Sequence, residues 1–494
     1  MTLILIIIFL IIFSLIANLL SKYIKVFIVI SILFIFSFYF FLAKNVFLSF
    51  DFYPSKNIQL YSPCGNFYNL LTNSIKDFKT NILENISIPS GNNSQEYGKS
   101  IPLLLDTSLY KQKIYLYFGI TPVLLFYLPF NLITKLYLTD KSVVFLLACF
   151  SFLFSLFLIK TLTKNYKNIP ANIKILSLFL IGFCNFLPFM IIHGFIYQVA
   201  VLTANNLLFG TFCLFYYYIT IKDLRTQHIL SFFISLFLCL SVGARPHYIL
   251  FIPIFLFFII YLNYKQNDNF KNIFKTIIFF ITPCLIYGTI IALYNYLRFD
   301  SIFEFGWKYQ LNVQDQLNFT FTIKDFIIGL KNNFLLLPTI NEQTFFSLKA
   351  ISNHRIGNEY VTGILWTCPI VYILFSLPNF LKKTFIDNKN NFIFLSALIS
   401  VIIINIIIIS FFGIVIRYIF EFLSLMVILS VTIFFFYFNR TTDKSTRFFL
   451  NLLFIFIFVY SVFINISLLF CRENFWFYPT MTNTNYSKII EFLF

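Results

Sequence analysis

Repeated apolar segments of about twenty residues constrain the fold more than any other feature of this sequence. A helix needs roughly 20 mostly apolar residues to cross a bilayer, and its backbone must satisfy its own hydrogen bonds there. With 59% hydrophobic and 11% charged residues, a soluble core of this size is excluded. We therefore predict an all-α polytopic transmembrane helix bundle with about twelve spans. The segments are 2–20, 24–43, 142–161, 174–193, 197–220, 228–243, 247–263, 275–296, 361–380, 392–412, 414–437 and 448–470.

Two long polar stretches, 44–141 and 298–360, interrupt a chain that otherwise looks like one integral membrane domain over 1–494. The apolar run 114–133 inside the first stretch is assigned from charge, because cytoplasmic loops carry an excess of Lys and Arg. If this run does not span, the short loops on one side hold 17 basic and 4 acidic residues, against 19 and 15 elsewhere. Those loops are 21–25, 160–174, 221–227, 264–275, 381–391 and 438–447.

This charge arrangement places both long stretches outside the cytoplasm. It also makes the run 114–133, together with the aromatic stretch SLYKQKIYLYFG that overlaps its start, a juxtamembrane helix at the outer surface. Its tyrosines are typical of the headgroup level of a membrane. The sequence has no Gly-rich phosphate loop, HExxH motif or nucleophile elbow, and we predict no nucleic-acid partner. Six cysteines lie within apolar segments, where they behave as small hydrophobes.

Two basic positions stand at the predicted outer ends of helices. Arg245 and His247 form a very short turn in SVGARPHYIL, and Arg417 stands four residues before Glu421 in FFGIVIRYIFEFL. An Arg fork matches phosphate oxygens, whereas the alternative for Arg245 is an interfacial side chain whose charge reaches the headgroups. For Arg417 and Glu421 the alternative is an ion pair that only permits the charges to enter the membrane.

The stretch YNYLRFDSIFEFGWKYQL mixes charges and aromatics as it leaves the membrane, with Arg298, Glu304 and Trp307 among them. Such a mixture suits a surface that contacts sugars or headgroups, although an aromatic belt has the same composition. The first long stretch supplies carboxylates that could deprotonate an acceptor hydroxyl, and most of them are expected to be simply solvated. The candidates are Asp51, Asp77 and Asp106.

Five motifs in order then carry a resemblance over about residues 64–425. They are CGNFYNLLTNSIKDF, LLDTSLYKQKIYLYFGITPVLLFYLPFNLIT, VGARPHYIL, YNYLRFDSIFEFGWKYQL and IRYIFEF. Together they resemble a family of bacterial membrane proteins within the GT-C class of glycosyltransferases. The resemblance implies an enzyme of the inner membrane that transfers a sugar from a polyprenyl-phosphate donor on the periplasmic side. The class pairs a carboxylate base with basic residues, and some members use a divalent metal such as Mg²⁺ or Mn²⁺.

The resemblance also implies roles for the candidate residues. Arg245 and Arg417 would hold the donor phosphate, with Arg298 and His247 beside them. Asp51, Asp106 or Asp77 would act as the base. The substrate-contacting residues would be Tyr115, Tyr117, Glu304, Trp307, Tyr418 and Glu421.

The sequence departs from the family pattern where acidic residues are common. Asn73 and Gln198 replace two of them, and Asp51 stands alone where the family has an acidic pair. The choice among the three candidate bases therefore stays open. So do the sugar and the acceptor, which could be a periplasmic lipid or glycan. The alternative functions are a flippase or transporter of lipid-linked saccharides, a polysaccharide polymerase or ligase, and a structural scaffold.

Overall fold

The computed structural model describes residues 2–45, 52–56, 66–83, 107–266, 269–311, 322–341, 345–353, 357–412 and 415–470. Asp51 and Asp106 lie outside these described residues. The α-helices are Thr2–Leu19 (α1), Ile24–Asn45 (α2), Phe67–Lys76 (α3), Leu128–Thr134 (α4), Asp140–Leu162 (α5), Ala171–Phe183 (α6), Leu187–His193 (α7), Ile196–Thr220 (α8), Leu224–Val242 (α9), Phe251–Lys265 (α10), Phe270–Phe299 (α11), Ile323–Leu335 (α12), Ile364–Thr367 (α13), Leu377–Asp387 (α14), Lys389–Phe412 (α15), Ile416–Arg440 (α16) and Lys444–Leu469 (α17).

Shorter elements connect these helices. A π-helical turn, Val123–Tyr127, leads into α4, and 3₁₀ helices cover Ser21–Tyr23, Pro246–Leu250, Trp307–Tyr309 and Pro369–Ser376. The strands are Asn81–Leu83 (β1), Thr107–Tyr110 (β2), Lys113–Leu116 (β3), Thr339–Asn341 (β4), Phe345–Ser347 (β5), Lys349–Asn353 (β6) and Gly357–Val361 (β7). They form antiparallel sheets in the orders β1-β3-β2, β4-β5 and β6-β7.

The helical, polytopic architecture predicted from the sequence is confirmed. Within the described residues, ten helices are long and apolar enough to cross a membrane. They are Ser21–Lys44, Asp140–Leu162, Ala171–His193, Ile196–Thr220, Leu224–Val242, Pro246–Lys265, Phe270–Phe299, Lys389–Phe412, Ile416–Arg440 and Lys444–Leu469. Each one corresponds to a segment picked out by hydropathy.

Two of the predicted segments differ from the other ten. The N-terminal apolar helix Leu3–Leu19 is shorter than the ten candidate spans. The segment 361–380 is divided into α13, a 3₁₀ helix and α14. Pro369 and Pro378 each stand at the start of one of these pieces. Since proline has no N–H to donate and crowds the preceding turn, a continuous α-helix is not formed here.

The doubtful run 114–133 begins as a strand. Ser108 and Leu109 pair across the hairpin with Tyr115 and Ile114, so the predicted juxtamembrane helix is wrong for Ser108–Leu116. Side chains that alternate with period two suit a strand, and the turn lies between β2 and β3. The helical part, Val123–Thr134, is about 18 Å long at ~1.5 Å per residue, too short to cross a hydrocarbon core of ~30 Å.

The chain divides into two compact units. The first contains Met1–Phe50, Ala148–His193 and Thr322–Phe494, and the second contains Asp51–Leu147 and Gly194–Phe321. In the first unit α6 packs against α1, α2 and α17. The Tyr39 hydroxyl of α2 donates a hydrogen bond of 2.7 Å to the Gly182 carbonyl of α6. This bond satisfies a buried phenol in surroundings where an unpaired polar group would be costly.

In the second unit α9 packs against both α8 and α11. The segment after β3 closes against the end of α9, where the backbone N–H of Thr121 donates to the Gly243 carbonyl at 3.3 Å. Gly119 packs against this same carbonyl, and a Cβ at position 119 would overlap its oxygen atom. The close approach requires glycine at 119 and fixes the short turn that carries Arg245.

Candidate active site

A buried carboxylate, Asp140, is the centre of the polar groups in the second unit. It is the first residue of α5 and is 7% exposed. The Tyr127 hydroxyl donates a hydrogen bond to its Oδ1. Its Oδ2 is buried and has no hydrogen-bond partner among the described residues. A negative charge is favoured at the start of a helix, so α5 helps to hold a carboxylate with one oxygen free.

Two tyrosines whose rings are in tilted contact stand beside this carboxylate. Tyr127 ends the π-helical turn, and its ring lies 5.2 Å from that of Tyr68 on α3, centroid to centroid. Burial and the charge of Asp140 raise the pKa of Tyr127, so its hydroxyl stays protonated and donates. The Tyr68 hydroxyl is also buried and has no partner within the part of the chain that the structure describes.

The charge of Arg245 also acts on Tyr68. Burial raises the pKa of Tyr68 well above its usual range, the negative charge of Asp140 raises it further, and the positive charge of Arg245 lowers it. The same phenol is therefore under the influence of one anion and one cation. Arg245 is half-buried and precedes the 3₁₀ helix Pro246–Leu250, whereas the His247 ring contacts the Tyr248 ring at 4.8 Å.

Arg298, the third predicted phosphate ligand, contacts other residues of the protein through its guanidinium group. It is 4% exposed near the end of α11. Its Nη1 donates to the Leu116 carbonyl at 2.8 Å, and its Nη2 donates to Asn295 Oδ1 at 2.6 Å. The guanidinium carbon also lies 4.0 Å from the centroid of the Tyr294 ring. These contacts connect α11 to the end of β3, and phosphate binding by Arg298 stays a prediction.

The β2–β3 hairpin, Tyr117 directly after it and the segment 299–310 form an aromatic surface, which we call the hairpin platform. The Ser108 hydroxyl donates to the Gly306 carbonyl at 2.9 Å. The Phe299 ring lies 5.4 Å from Tyr115 and 5.6 Å from Tyr309. Tyr115 is 5% exposed and therefore supports the platform from beneath.

Two other aromatic side chains are the partly exposed members of the hairpin platform. Tyr117 and Trp307 are both half-buried, with ring centroids 6.3 Å apart. Glu304 is half-buried, and its Oε1 accepts a hydrogen bond of 2.7 Å from the Gly306 N–H, which holds the turn before Trp307. The platform thus offers flat apolar faces beside polar groups. Contact of Tyr117, Trp307 and Glu304 with a substrate stays a prediction.

The tip of the hairpin is attached to the end of α11. Lys111 and Gln112 both have positive φ angles, 47° and 60°, as a two-residue hairpin turn requires. Lys111 Nζ lies 2.5 Å from Asp300 Oδ2, and the Tyr110 hydroxyl donates to the same oxygen at 3.0 Å. The hydrogen bond from Lys111, followed by that from Tyr110, lowers the pKa of Asp300, and the same contacts raise the pKa of Lys111.

The hairpin tip should therefore depend on pH at both extremes. The lowered pKa of Asp300 means that its contribution is lost as pH falls below its usual value of about 4, and the raised pKa of Lys111 means that its contribution is lost above about 10. We expect amide exchange in residues 107–116, corrected for intrinsic rates, to be flat between about pH 5 and 9 and faster outside that window. An Asp300→Asn variant should exchange faster at pH 7, and exchange equal to that of the wild type would contradict this assignment.

Three predicted residues lie in the first unit on α16. Glu421 is completely buried, and the guanidinium carbon of Arg417 lies 5.2 Å from the centroid of the Tyr418 ring. Arg417 and Glu421 are one turn apart on one helix, as their spacing predicts. The joint binding of a phosphate by Arg245 and Arg417 stays a prediction.

Among the predicted bases, only Asp77 lies within the described residues. It is exposed at the end of α3. Asp140 was not among the sequence candidates, although the signal was present: TDKSVVF places an acid at the first turn of an apolar helix, where the long stretch 44–141 ends. Within the described ranges no group of three His, Cys, Asp or Glu side chains could hold a metal ion. A divalent metal stays an expectation from the resemblance.

No protein-family model and no curated protein matches this chain. Three solved structures of an oligosaccharyltransferase from Archaeoglobus fulgidus are similar to it. The structure of the archaeal oligosaccharyltransferase AglB in complex with an inhibitory peptide and a dolichol-phosphate is 14% identical, with a TM-score of 0.48 over 88% of this chain and 55% of that chain. The apo form is 12% identical, with a TM-score of 0.49 over 88% and 56%. The form tethered to an acceptor peptide is 13% identical, with a TM-score of 0.46 over 94% and 58%. The chain thus spans little more than half the length of these proteins.

Proposed function

We propose that this protein is a membrane glycosyltransferase that moves a sugar from a polyprenyl-phosphate donor to a periplasmic lipid or glycan acceptor. The observation that carries the proposal is the buried carboxylate Asp140, whose Oδ1 accepts a hydrogen bond from Tyr127 and whose charge, like that of Arg245, acts on Tyr68. A general base and a cation that both act on one phenol match the needs of a transfer that takes a proton from one oxygen and leaves negative charge on another.

The proposed reaction uses these groups as follows. The acceptor hydroxyl oxygen attacks the anomeric carbon of the sugar, and the bond from that carbon to the phosphate oxygen breaks. The hydroxyl proton passes to the free Oδ2 of Asp140, since Oδ1 accepts the hydrogen bond from Tyr127. The polyprenyl phosphate leaves with the additional negative charge, which Arg245 stabilises. Tyr117 and Trp307 would contact the sugar ring.

The residues predicted from the sequence remain candidates alongside Asp140 and Arg245. Asp51, Asp106 and Asp77 remain alternative bases, and Arg417 a second ligand of the donor phosphate. The location of buried charge favours a transferase over a flippase, because ionisable side chains deep inside membrane helices mark a transport pathway. Within the described residues, the buried Asp, Glu, Lys and Arg side chains all lie in the first or last two turns of their helices. They are Asp140, Lys141, Arg298 and Glu421.

A product assay tests the proposal. The purified full chain, reconstituted in lipid vesicles, is given a radiolabelled polyprenyl-phosphate sugar with a periplasmic lipid extract as acceptor source. We expect free polyprenyl phosphate and labelled acceptor to appear together in a fixed ratio. Movement of the intact donor to the inner leaflet without its consumption would contradict a transferase and support the flippase. Products that lengthen by repeated additions would support a polymerase.

A further inference from the structure

Two cysteines of the second unit face each other across a helix interface. Cys239 on α9 and Cys284 on α11 have their Sγ atoms 3.3 Å apart, and the Ser235 hydroxyl lies 3.1 Å from the sulfur of Cys284. Hydropathy predicts both residues to be no more than small apolar side chains. Cys239 is 4% exposed, so the contact is inside the protein.

The pairing of these sulfurs follows from the register of the two helices. The Ser231 hydroxyl donates to the Thr276 carbonyl at 3.4 Å, and this pair, like the cysteine pair, is separated by 45 residues. A constant separation means that α9 and α11 run in the same direction at a fixed register. The four other cysteines within the described residues are on different segments of the chain: Cys149, Cys184, Cys213 and Cys368.

The cysteine pair lies just before the turn that carries Arg245. The Thr121 hydroxyl donates to the Leu240 carbonyl at 2.8 Å and lies 2.5 Å from the Tyr287 hydroxyl of α11. The Thr121 N–H donates to the Gly243 carbonyl. The end of α9, α11 and the segment after β3 are therefore joined by hydrogen bonds between the sulfurs and Arg245. A covalent bond between the two helices at this level would restrain the turn.

We propose that Cys239 and Cys284 form a reversible disulfide that fixes α9 to α11 and restrains the Arg245 turn. Two S–H bonds break and one S–S bond forms, while two electrons and two protons reduce a membrane quinone to its quinol. A lipid-soluble quinone is the oxidant class that fits, because the sulfurs lie within helices apolar enough to span the membrane. The reaction reverses when a dithiol attacks the disulfide. This proposal does not depend on sugar transfer.

The test is thiol counting on the full chain in lipid nanodiscs. The protein is incubated with a short-chain quinone, denatured, alkylated with N-ethylmaleimide and mapped by mass spectrometry. We expect the peptides with Cys239 and Cys284 to lose alkylation together and to regain it after dithiothreitol, while Cys213 on α8 stays alkylated. In a Cys239→Ser variant, Cys284 should stay alkylated after the same treatment. Amide exchange of residues 243–250 should be slower in the oxidised protein.

A designed pair at the same register supplies the reference for oxidant access. In a Cys239→Ser, Cys284→Ser background, Ser231→Cys with Thr276→Cys places two thiols at the same 45-residue register, about two turns earlier on each helix. If that pair is oxidised while native Cys239 and Cys284 remain fully alkylated, the proposal is overturned. Unchanged amide exchange at 243–250 in the oxidised protein would overturn its second half, the restraint of the Arg245 turn.

Discussion

We expect Asp140→Asn to lower the rate of sugar transfer by about 100-fold or more, the range of general-base contributions. The substitution removes the ability of Oδ2 to take a proton but keeps the shape of the side chain. The amide oxygen of Asn can still accept the hydrogen bond that Tyr127 donates to Oδ1. The loss should therefore fall on the chemical step, with little change in donor affinity.

The measurement is the initial rate of polyprenyl-phosphate release at saturating donor, alongside the thermal stability of each variant. Asp223→Asn is the matched control, because Asp223 is an exposed N-cap of α9 that accepts from the Thr226 N–H at 2.9 Å. Asn is an equally good N-cap, so this variant should transfer at the wild-type rate. If Asp140→Asn is as active as the control while Asp51→Asn or Asp106→Asn is inactive, the base is one of the sequence candidates.

The helical segments could be predicted from the sequence because hydropathy reports them directly. Ten of the twelve apolar segments are helices of spanning length. The failure at 361–380 is a local effect: Pro369 and Pro378 divide a stretch that a hydropathy average treats as continuous. The failure at Ser108–Leu116 has another cause. A run of aromatic and aliphatic residues has the same composition in a strand and in an interfacial helix, and the partner strands decide between them.

The candidate site was less predictable because tertiary contacts create it. Arg245 was found from its position at a short turn, but its influence on Tyr68, which Asp140 shares, depends on the tertiary structure. Asp140 itself looks like an ordinary acid at a helix start, where the helix dipole already explains it. What distinguishes it is a buried Oδ2 with no partner among the described residues and a tyrosine hydroxyl on Oδ1, and neither has a sequence signature.

Arg298 is the residue for which sequence and structure suggest different roles. The resemblance implies that it is a ligand of the donor phosphate beside Arg245 and Arg417. The structure instead surrounds its guanidinium with the Leu116 carbonyl, Asn295 and the Tyr294 ring. The two roles differ in what a mutation changes, since a ligand affects donor binding and a structural contact affects folding.

We expect Arg298→Met to lower the free energy of unfolding by about 3 kcal/mol, because two hydrogen bonds from a charged donor are lost and their buried acceptors lose a partner. Methionine keeps much of the aliphatic packing, so the loss reports mainly on the guanidinium. The measurement is denaturation of the purified protein by sodium dodecyl sulfate, followed by circular dichroism. Lys308→Ala removes an exposed cation from the neighbouring segment and should change stability by less than about 0.5 kcal/mol.

A donor KM raised at unchanged stability in Arg298→Met would instead make Arg298 a phosphate ligand. A loss of stability that also frees residues 107–116 to exchange would establish that Arg298 holds the hairpin platform through the Leu116 carbonyl.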